Sequence, residues 1–489
     1  MKTAFLTSFL LFFLVSCFHS SAQVAYQKMP VEKLEAAYEK YKEPSITHRR
    51  FKHASIQPLI QKHGSEFKLE ELGTSVEGKS ITSMKWGQGG TKVMLWSQMH
   101  GNESTATMAL FDLFNFLEGK NDGYDELRNL LKNQLSLKFI PMINPDGADA
   151  FKRRNALDID LNRDAISQIS PEAVILKKAR DDFEPEFGFN LHDQQIYYNV
   201  VNTPKQATIS LLAPAYNYET EINEVRGRAM QTIAGMNELL QEFIPGQVGK
   251  YDDAFEPRAF GDNIQKWGTS TILIESGGFP GDTEKQYIRK INFMIILNAL
   301  HQIATRGYEQ YTTEQYFAIP DNGFQLMDLI INEMQVKVKG AWYPLDIAIR
   351  RRETENTAGY FMSASVEDLG DMQIFFGFET LDATGLQYLE GKVFPTAFES
   401  VKDISEEKAI ELLRQGFMAV KVKTGEARQV HGLPILVLKS TEKYSSGWMT
   451  GSATNFFLAK EGKPRYAIVN GYLIDLETPK KQEIRNRIF

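Results

Sequence analysis

His100 and Glu103 stand three positions apart in "MLWSQMHGNEST", residues 94–105, at the end of an apolar run. A neutral imidazole and a carboxylate oxygen are both good zinc donors, and a catalytic zinc site takes three protein ligands and keeps a fourth position open. By itself the pair is a weak signal. The chain supplies its own control at residues 63–66, "HGSE", with the same spacing but in a polar connection with no strong apolar strand before it. We read His63 and Glu66 as structural. Position separates the two copies, because ligands in open α/β sheets gather beyond the carboxyl ends of strands. His100 and Glu103 follow an apolar run at 92–98, and His192 follows one at 187–191. Glu275 closes one at 269–274, and "NPDG" at 144–147 follows one at 135–143. Singly, His192 reads equally well as a satisfied core histidine and Glu275 as a cap. Four such strand ends together read as a site.

Between NPDG and His192, "NPDGADAFKRRNALDIDLNRD" (144–164) carries Arg153, Arg154 and Arg163. A solvated basic loop is one reading. An anion receptor is the other, because a guanidinium makes a planar, two-pronged contact with carboxylate that Lys cannot match.

These residues need elements to position them. Residues 24–65 are charged and helical in pieces, and "FKLEELGTSVEGKSITSMKWG" (67–87) alternates and turns at Glu77 and Gly78, predicting a hairpin. Apolar strands at 92–98, 135–144, 187–191 and 269–276 alternate with helical patterns at 104–117, 170–183, 221–243 and 282–305. That alternation predicts a three-layer α/β/α sandwich. After about Tyr311 the pattern changes to alternating strands with Gly-bearing turns, interrupted by one helix at 405–415. It predicts a mainly β accessory region, with a β-sandwich as its expected form and no constellation that reads as chemistry. The chain thus divides into a targeting segment at 1–22, an α/β domain at 23–310 and a mainly β region at 311–489.

The set His100-x-x-Glu103, Asn144-Pro-Asp-Gly, Arg153-Arg-Asn, Asp160-Leu-Asn162-Arg163, His192 and Glu275 resembles the zinc carboxypeptidases of the M14 type, over roughly residues 30–308. The resemblance implies a mixed sheet and one Zn2+ per chain, held by His100, Glu103 and His192. Asp160 would accept a hydrogen bond from His100 and fix its tautomer. Glu275 would be the general base, taking a proton from water activated at zinc and delivering it to the leaving amine. Arg153 would polarise the scissile carbonyl, with a one-residue slip to Arg154 left open. Asn162 and Arg163 would hold the substrate's terminal carboxylate. Tyr251, in "GKYDDAFEPRAFGDN", is the candidate for the family's mobile tyrosine, although its flanks depart from the family pattern. The implied substrate is a peptide with a free C-terminal carboxylate.

Two neighbouring readings stay open. One is a zinc amidohydrolase of the aspartoacylase and succinylglutamate-desuccinylase type, which shares His-x-x-Glu and Asp-Leu-Asn-Arg but is disfavoured by NPDG and by chain length. The other is a peptidoglycan stem-peptide endopeptidase. A non-catalytic binding module is disfavoured because every catalytic residue type is present. Arg258 is either a pocket residue for an acidic side chain or a surface residue.

The 489 residues are 43% hydrophobic and 24% charged, ordinary for a globular chain. A net charge of -7 argues against nucleic acid as partner. The N-terminus, "MKTAFLTSFLLFFLVSCFHSSAQ", has Lys2, an apolar run from Ala4 to Val15 and then small residues, which is a secretory signal too short to span a membrane well. Either Cys17 is acylated as in a lipoprotein, the only membrane attachment expected, or cleavage follows Ala22. The expected location is exported: periplasmic, secreted or anchored at the outer membrane. Compartment alone makes cell-wall peptide a candidate substrate. Cys17 is the sole cysteine, so no disulfide and no cysteine ligand or nucleophile is expected.

Overall fold

In the computed structural model the described residues are 26–356 and 359–489, so the expected targeting segment at 1–22 and Cys17 lie outside them. The strands of the α/β part are β1 (Lys68–Thr74), β2 (Ser80–Gly87), β3 (Thr91–Ser97), β4 (Leu135–Ile140), β5 (Phe187–Asp193), β6 (Asn199–Val200), β7 (Ile209–Leu212), β8 (Val248–Lys250) and β9 (Ser270–Ser276). All but β6 form one eight-stranded sheet in the order β1-β2-β4-β3-β5-β9-β7-β8. The central four, β4-β3-β5-β9, run parallel. The flanking pairs β1/β2, β2/β4 and β7/β9 are antiparallel, so the sheet is mixed. Its helices are α1 (Val31–Tyr41), α2 (His53–Lys62), α3 (Thr105–Glu118), α4 (Asp125–Gln134), α5 (Pro145–Ala150), α6 (Pro171–Phe183), α7 (Glu224–Phe243), α8 (Phe260–Lys266) and α9 (Gln286–Thr305).

Strand β3 shows why three layers form. Successive side chains of a strand point to opposite faces. Val93 and Leu95 join the core containing α3, α7 and α9, whereas Met94 and Trp96 join a second core containing α6 and α8. A strand apolar on both faces must be covered on both. Helices α3 and α9 are further tied by a buried ion pair in which Arg289 Nε donates to Asp112 Oδ2 at 2.7 Å, while Arg289 Nη2 donates to Glu43 O at 2.9 Å.

The rest of the chain is mainly β: α10 (Thr313–Phe317), β10 (Asn322–Gly323), β11 (Leu326–Val338), β12 (Ala341–Asn356), β13 (Gly359–Leu369), β14 (Phe376–Asp382), β15 (Gln387–Leu389), β16 (Lys392–Val393), α11 (Glu406–Arg414), β17 (Phe417–Val422), β18 (Val430–His431), β19 (Leu436–Lys439), β20 (Asn455–Lys460), β21 (Lys463–Val469), β22 (Tyr472–Asp475) and β23 (Asn486–Arg487). The expected β-sandwich is not what forms. One eight-stranded sheet, β13-β12-β11-β15-β20-β21-β22 with β14 beside β11, is accompanied by a small parallel sheet, β16-β17-β19. Parallel strands need crossovers, and α11 supplies one between β16 and β17. Strand β6 of the α/β part pairs antiparallel with β10, so the two parts share a strand contact. Among the described residues no helix is long and apolar enough to cross a membrane.

Candidate metal centre

The loop after β3 turns at Gln98, which lies in the left-handed region (φ 48°). Gln98 Nε2 donates to Gly101 O at 2.9 Å. Gly101 then abuts the NPDG backbone so closely that a Cβ there would lie 1.9 Å from the carbonyl carbon of Gly147. Only glycine lets the His100 loop seat at this distance. From the other side Asn144 caps α5, its Oδ1 accepting from Gly147 N at 2.8 Å, while Nδ2 donates to Met99 O at 3.2 Å. Asp146 accepts from Ser75 Oγ at 2.8 Å and from Glu77 N at 3.0 Å. NPDG therefore clamps the loop carrying His100 to the turn of the first hairpin.

Strands β3, β5 and β9 are neighbours, and their carboxyl ends bring distant residues together. His192 and Glu275 are register partners on β5 and β9. The donor atoms of His100, Glu103 and His192 all lie within 4.8 Å of one another, and all three residues are buried. His100 Nδ1 is 2.8 Å from Glu103 Oε1, and His192 Nδ1 is 2.7 Å from Glu103 Oε2. Asp160 Oδ1 lies 3.1 Å from His100 Nε2. Arg153 donates from Nη1 to Glu103 Oε1 at 3.2 Å and from Nε to Asp160 Oδ2 at 3.0 Å. Its neighbour Arg154 instead donates to Asp158 O at 2.8 Å, on the surface. His192 Nε2 and Glu275 Oε2 are buried with no hydrogen-bond partner among the described residues.

Two imidazoles and a carboxylate in one buried cluster form a zinc donor set. The electrostatics agree at Glu103 and His192, whereas at His100 burial is outweighed by the carboxylates of Glu103 and Asp160, which raise the imidazole. Burial opposes ionisation of Glu103, yet the imidazoles of His100 and His192 hold its carboxyl far below the ordinary range. Burial pushes the His192 imidazole down, favouring the neutral form that a metal requires. Burial first, and then the charges of Glu103 and Asp193, raise the Glu275 carboxyl well above its ordinary value. The control pair behaves differently: His63 Nδ1 lies 2.9 Å from Glu118 Oε2, and Glu66 pairs with Lys120.

A cleft of about 1340 Å³ opens onto this cluster. Arg163 and Asn162 line it, but both are already engaged. Arg163 Nε is 3.1 Å from Glu256 Oε2. Asn162 Oδ1 accepts from Phe260 N at 2.8 Å, capping α8, whose own N-cap residue, Ala259, has no side-chain oxygen. That assignment leaves the Asn162 Nδ2 donor for the cleft. Tyr251 also lines the cleft, its hydroxyl 3.0 Å from that of Tyr198. Arg258 is exposed and pairs with Glu256, which is the surface alternative.

Sequence reasoning missed several cleft residues. Asp193 follows His192 directly and was within reach of the strand-end rule. Lys285 donates to Asp193 Oδ2 at 3.0 Å and to Ser276 O at 2.8 Å, a contact across 92 positions that no local pattern announces. Glu256, Asp262 and the residues contributed by β12 and β13 were also unforeseen.

Residues 53–206 match the family model described as zinc carboxypeptidase, a segment that includes His100, Glu103, Arg153, Asp160, Asn162, Arg163 and His192 and stops short of Tyr251 and Glu275. An uncharacterized protein of Zymomonas mobilis is 28% identical over 147 residues, which span 29% of this chain and 37% of that protein. A metallo-carboxypeptidase from Burkholderia cenocepacia superposes with a TM-score of 0.41 at 17% identity, over 52% of this chain and 69% of that one. Carboxypeptidase A from Helicoverpa armigera gives 0.40 at 13% identity, over 56% and 80%.

Proposed function

Residues 53–206 belong to the zinc carboxypeptidase family, the metallocarboxypeptidase unit of this chain, and on that premise we propose that the protein is a zinc-dependent peptidase removing C-terminal residues from peptides. The observation that carries the reading is the convergence of His100, Glu103 and His192 within 4.8 Å, with Glu275 the register partner of His192. Those three residues would hold one zinc ion. Zinc, when bound, supplies a Lewis acid that polarises a carbonyl and lowers the pKa of water toward about 7.

The chain's own groups do the rest. Asp160 fixes His100 with Nδ1 turned to the centre. Glu275, its affinity for a proton raised by burial, takes the proton of the attacking water and returns it to the leaving amine. Arg153 stands beside Glu103 where its guanidinium meets the charge that develops on the carbonyl oxygen. Asn162 Nδ2 and Arg163 receive the terminal carboxylate, and Tyr251 covers the bound residue. Internal cutting is the second reading, favoured by one observation: Arg163 is already paired with Glu256. We also place the protein outside the cytoplasm, on its N-terminal signal; sequencing the N-terminus of material from the cell envelope tests that and separates acylation of Cys17 from cleavage after Ala22.

A peptide-library digest read by mass spectrometry tests the function. The expected result is loss of single residues from free C-termini, abolished by a chelator and restored by zinc. Glu275→Gln should lower kcat by about 10²–10⁴-fold with zinc still bound. Zinc binding without turnover of any peptide would point to a binding module, and hydrolysis of N-acyl amino acids alone to an amidohydrolase.

A further inference from the structure

We propose that the mainly β C-terminal part is the second wall of the cleft, and that Arg485, stacked on Tyr360, receives a carboxylate from the portion of the substrate that stays behind after cleavage. The proposal rests on reading the cleft as a peptidase site. Arg351, Tyr360, Tyr472 and Arg485 line the same cleft as His100 and Glu103.

The wall is fixed to the α/β part by contacts that leave little play. Tyr197, on the loop after β5, donates to Asp328 Oδ2 at 2.6 Å, and Arg351 Nε donates to Asp328 Oδ1 at 3.0 Å. Arg50, ahead of α2, donates to Glu355 on β12 at 3.0 Å. The guanidinium carbons of Arg50 and Arg485 lie 4.0 and 4.1 Å from the Tyr360 ring centroid. Both guanidinium groups therefore pack on the Tyr360 ring, with that of Arg49 farther out at 5.9 Å. Arg50 is also 4.1 Å from the Phe151 ring. The result is a ladder, Phe151–Arg50–Tyr360–Arg485, from the end of α5 to the last residues of the chain.

Charge along the ladder is uneven. Arg50 is neutralised by Glu353 and Glu355, Arg49 by Glu353 and Arg351 by Asp328. Arg485 donates from Nε to Tyr360 O at 3.2 Å and has no carboxylate oxygen within 4.0 Å among the described residues. Glu483 also lines the cleft, but it is exposed and keeps its hydration. The Arg485 guanidinium thus packs on an aromatic ring, lines the cleft and has no carboxylate partner among the described residues, a combination that suits a carboxylate ligand. Asn162 and Arg163 line the cleft from the α/β part and Arg485 lines it from the C-terminal part, so in the proposed binding mode the carboxylate that Arg485 receives is a different one from the substrate's terminus.

The test uses the full-length, zinc-loaded Glu275→Gln chain and three N-acetylated tetrapeptides with a free C-terminal Leu, differing only in Glu, Gln or Lys at the second residue. Calorimetric titration should show the Glu peptide binding about fivefold tighter than the Lys peptide, with Gln between them. Adding Arg485→Gln should bring the three to within about twofold of one another, and Arg485→Lys should keep part of the ordering. Equal binding of all three peptides, binding of none, or an ordering that survives Arg485→Gln overturns the proposal. If Arg485→Gln does not fold, the peptide series on the unaltered wall decides alone. Wild-type enzyme that leaves all three peptides intact would refute the peptidase reading separately, without altering the binding order.

Discussion

Arg163 meets a carboxylate before any substrate arrives, that of Glu256, and the same Glu256 is gripped by Arg258 at 3.1 Å. If Arg163 receives the substrate terminus, as we propose, that terminus must compete with Glu256. Glu256→Gln removes the competitor's charge while keeping its shape, so KM for peptides with a free carboxylate should fall about three- to tenfold with kcat nearly unchanged. Amide-capped peptides should be indifferent, and steady-state kinetics on matched pairs will show it. Lys285 has the opposite role, as a cation that holds Asp193 and the end of β9 in place. Its pair with Asp193 is buried, at 9% and 7% side-chain exposure. Lys285→Met should leave a buried carboxylate supported only by Thr105 and cost about 3 kcal/mol in chemical denaturation, whereas Lys285→Arg should cost less. The contrast between His100 and Lys285 shows what a sequence reveals at this scale. His100, Glu103, His192 and Glu275 could be singled out because each closes a strand, and strand ends are visible as boundaries of apolar runs. Lys285 acts through space on Asp193, and its surroundings in sequence say nothing of that.

Elements were legible in proportion to their length and regularity. Strands β3 and β9 announce themselves as apolar runs, and α3 and α9 by their long apolar composition. Helix α8 has seven residues and borrows its cap from Asn162, 98 positions away, so no local start signal precedes it. Strands β7 and β8, of four and three residues, are too short to show a period. Helix α8 nevertheless shapes the cleft through Asp262 in its first turn. Burial pushes the Asp262 carboxyl from 3.8 up to about 7, against a hydrogen bond from Glu256 N. The folded chain thus keeps its proton where the unfolded chain has lost it. Stability from this group is full below about pH 4, falls as pH rises toward about 7, and is level above that. Asp262→Asn removes the dependence. Wild type should therefore lose more melting temperature than the variant between about pH 5 and about pH 7.5; equal losses would show that Asp262 is ionised throughout.

At the scale of the whole molecule, the two parts line one cleft together. The mainly β character of the C-terminal part was legible from its alternating strands, but its small parallel sheet and its place on the cleft were not, because both depend on pairings far apart in sequence. Asp328 is the joint that makes the coupling testable. It accepts from Tyr197 Oη and from Arg351 Nε and N, and so pins the loop after β5 to the C-terminal sheet. The next residue on that loop, Tyr198, packs 4.9 Å from Phe324 and holds the hydroxyl of Tyr251. Asp328→Ala should then do two things at once. It should lower the denaturation midpoint, at a cost of about 1–3 kcal/mol for hydrogen bonds lost from Tyr197 and from the half-buried Arg351. It should also reduce kcat/KM by freeing Tyr198 and Tyr251, while one zinc per chain is retained because His100, Glu103 and His192 are untouched. Zinc content, denaturant melts and peptide kinetics on one preparation separate these effects. A variant that is destabilised yet fully active would show that the loop is held by the α/β part alone, and that the C-terminal sheet stands beside the cleft without governing it.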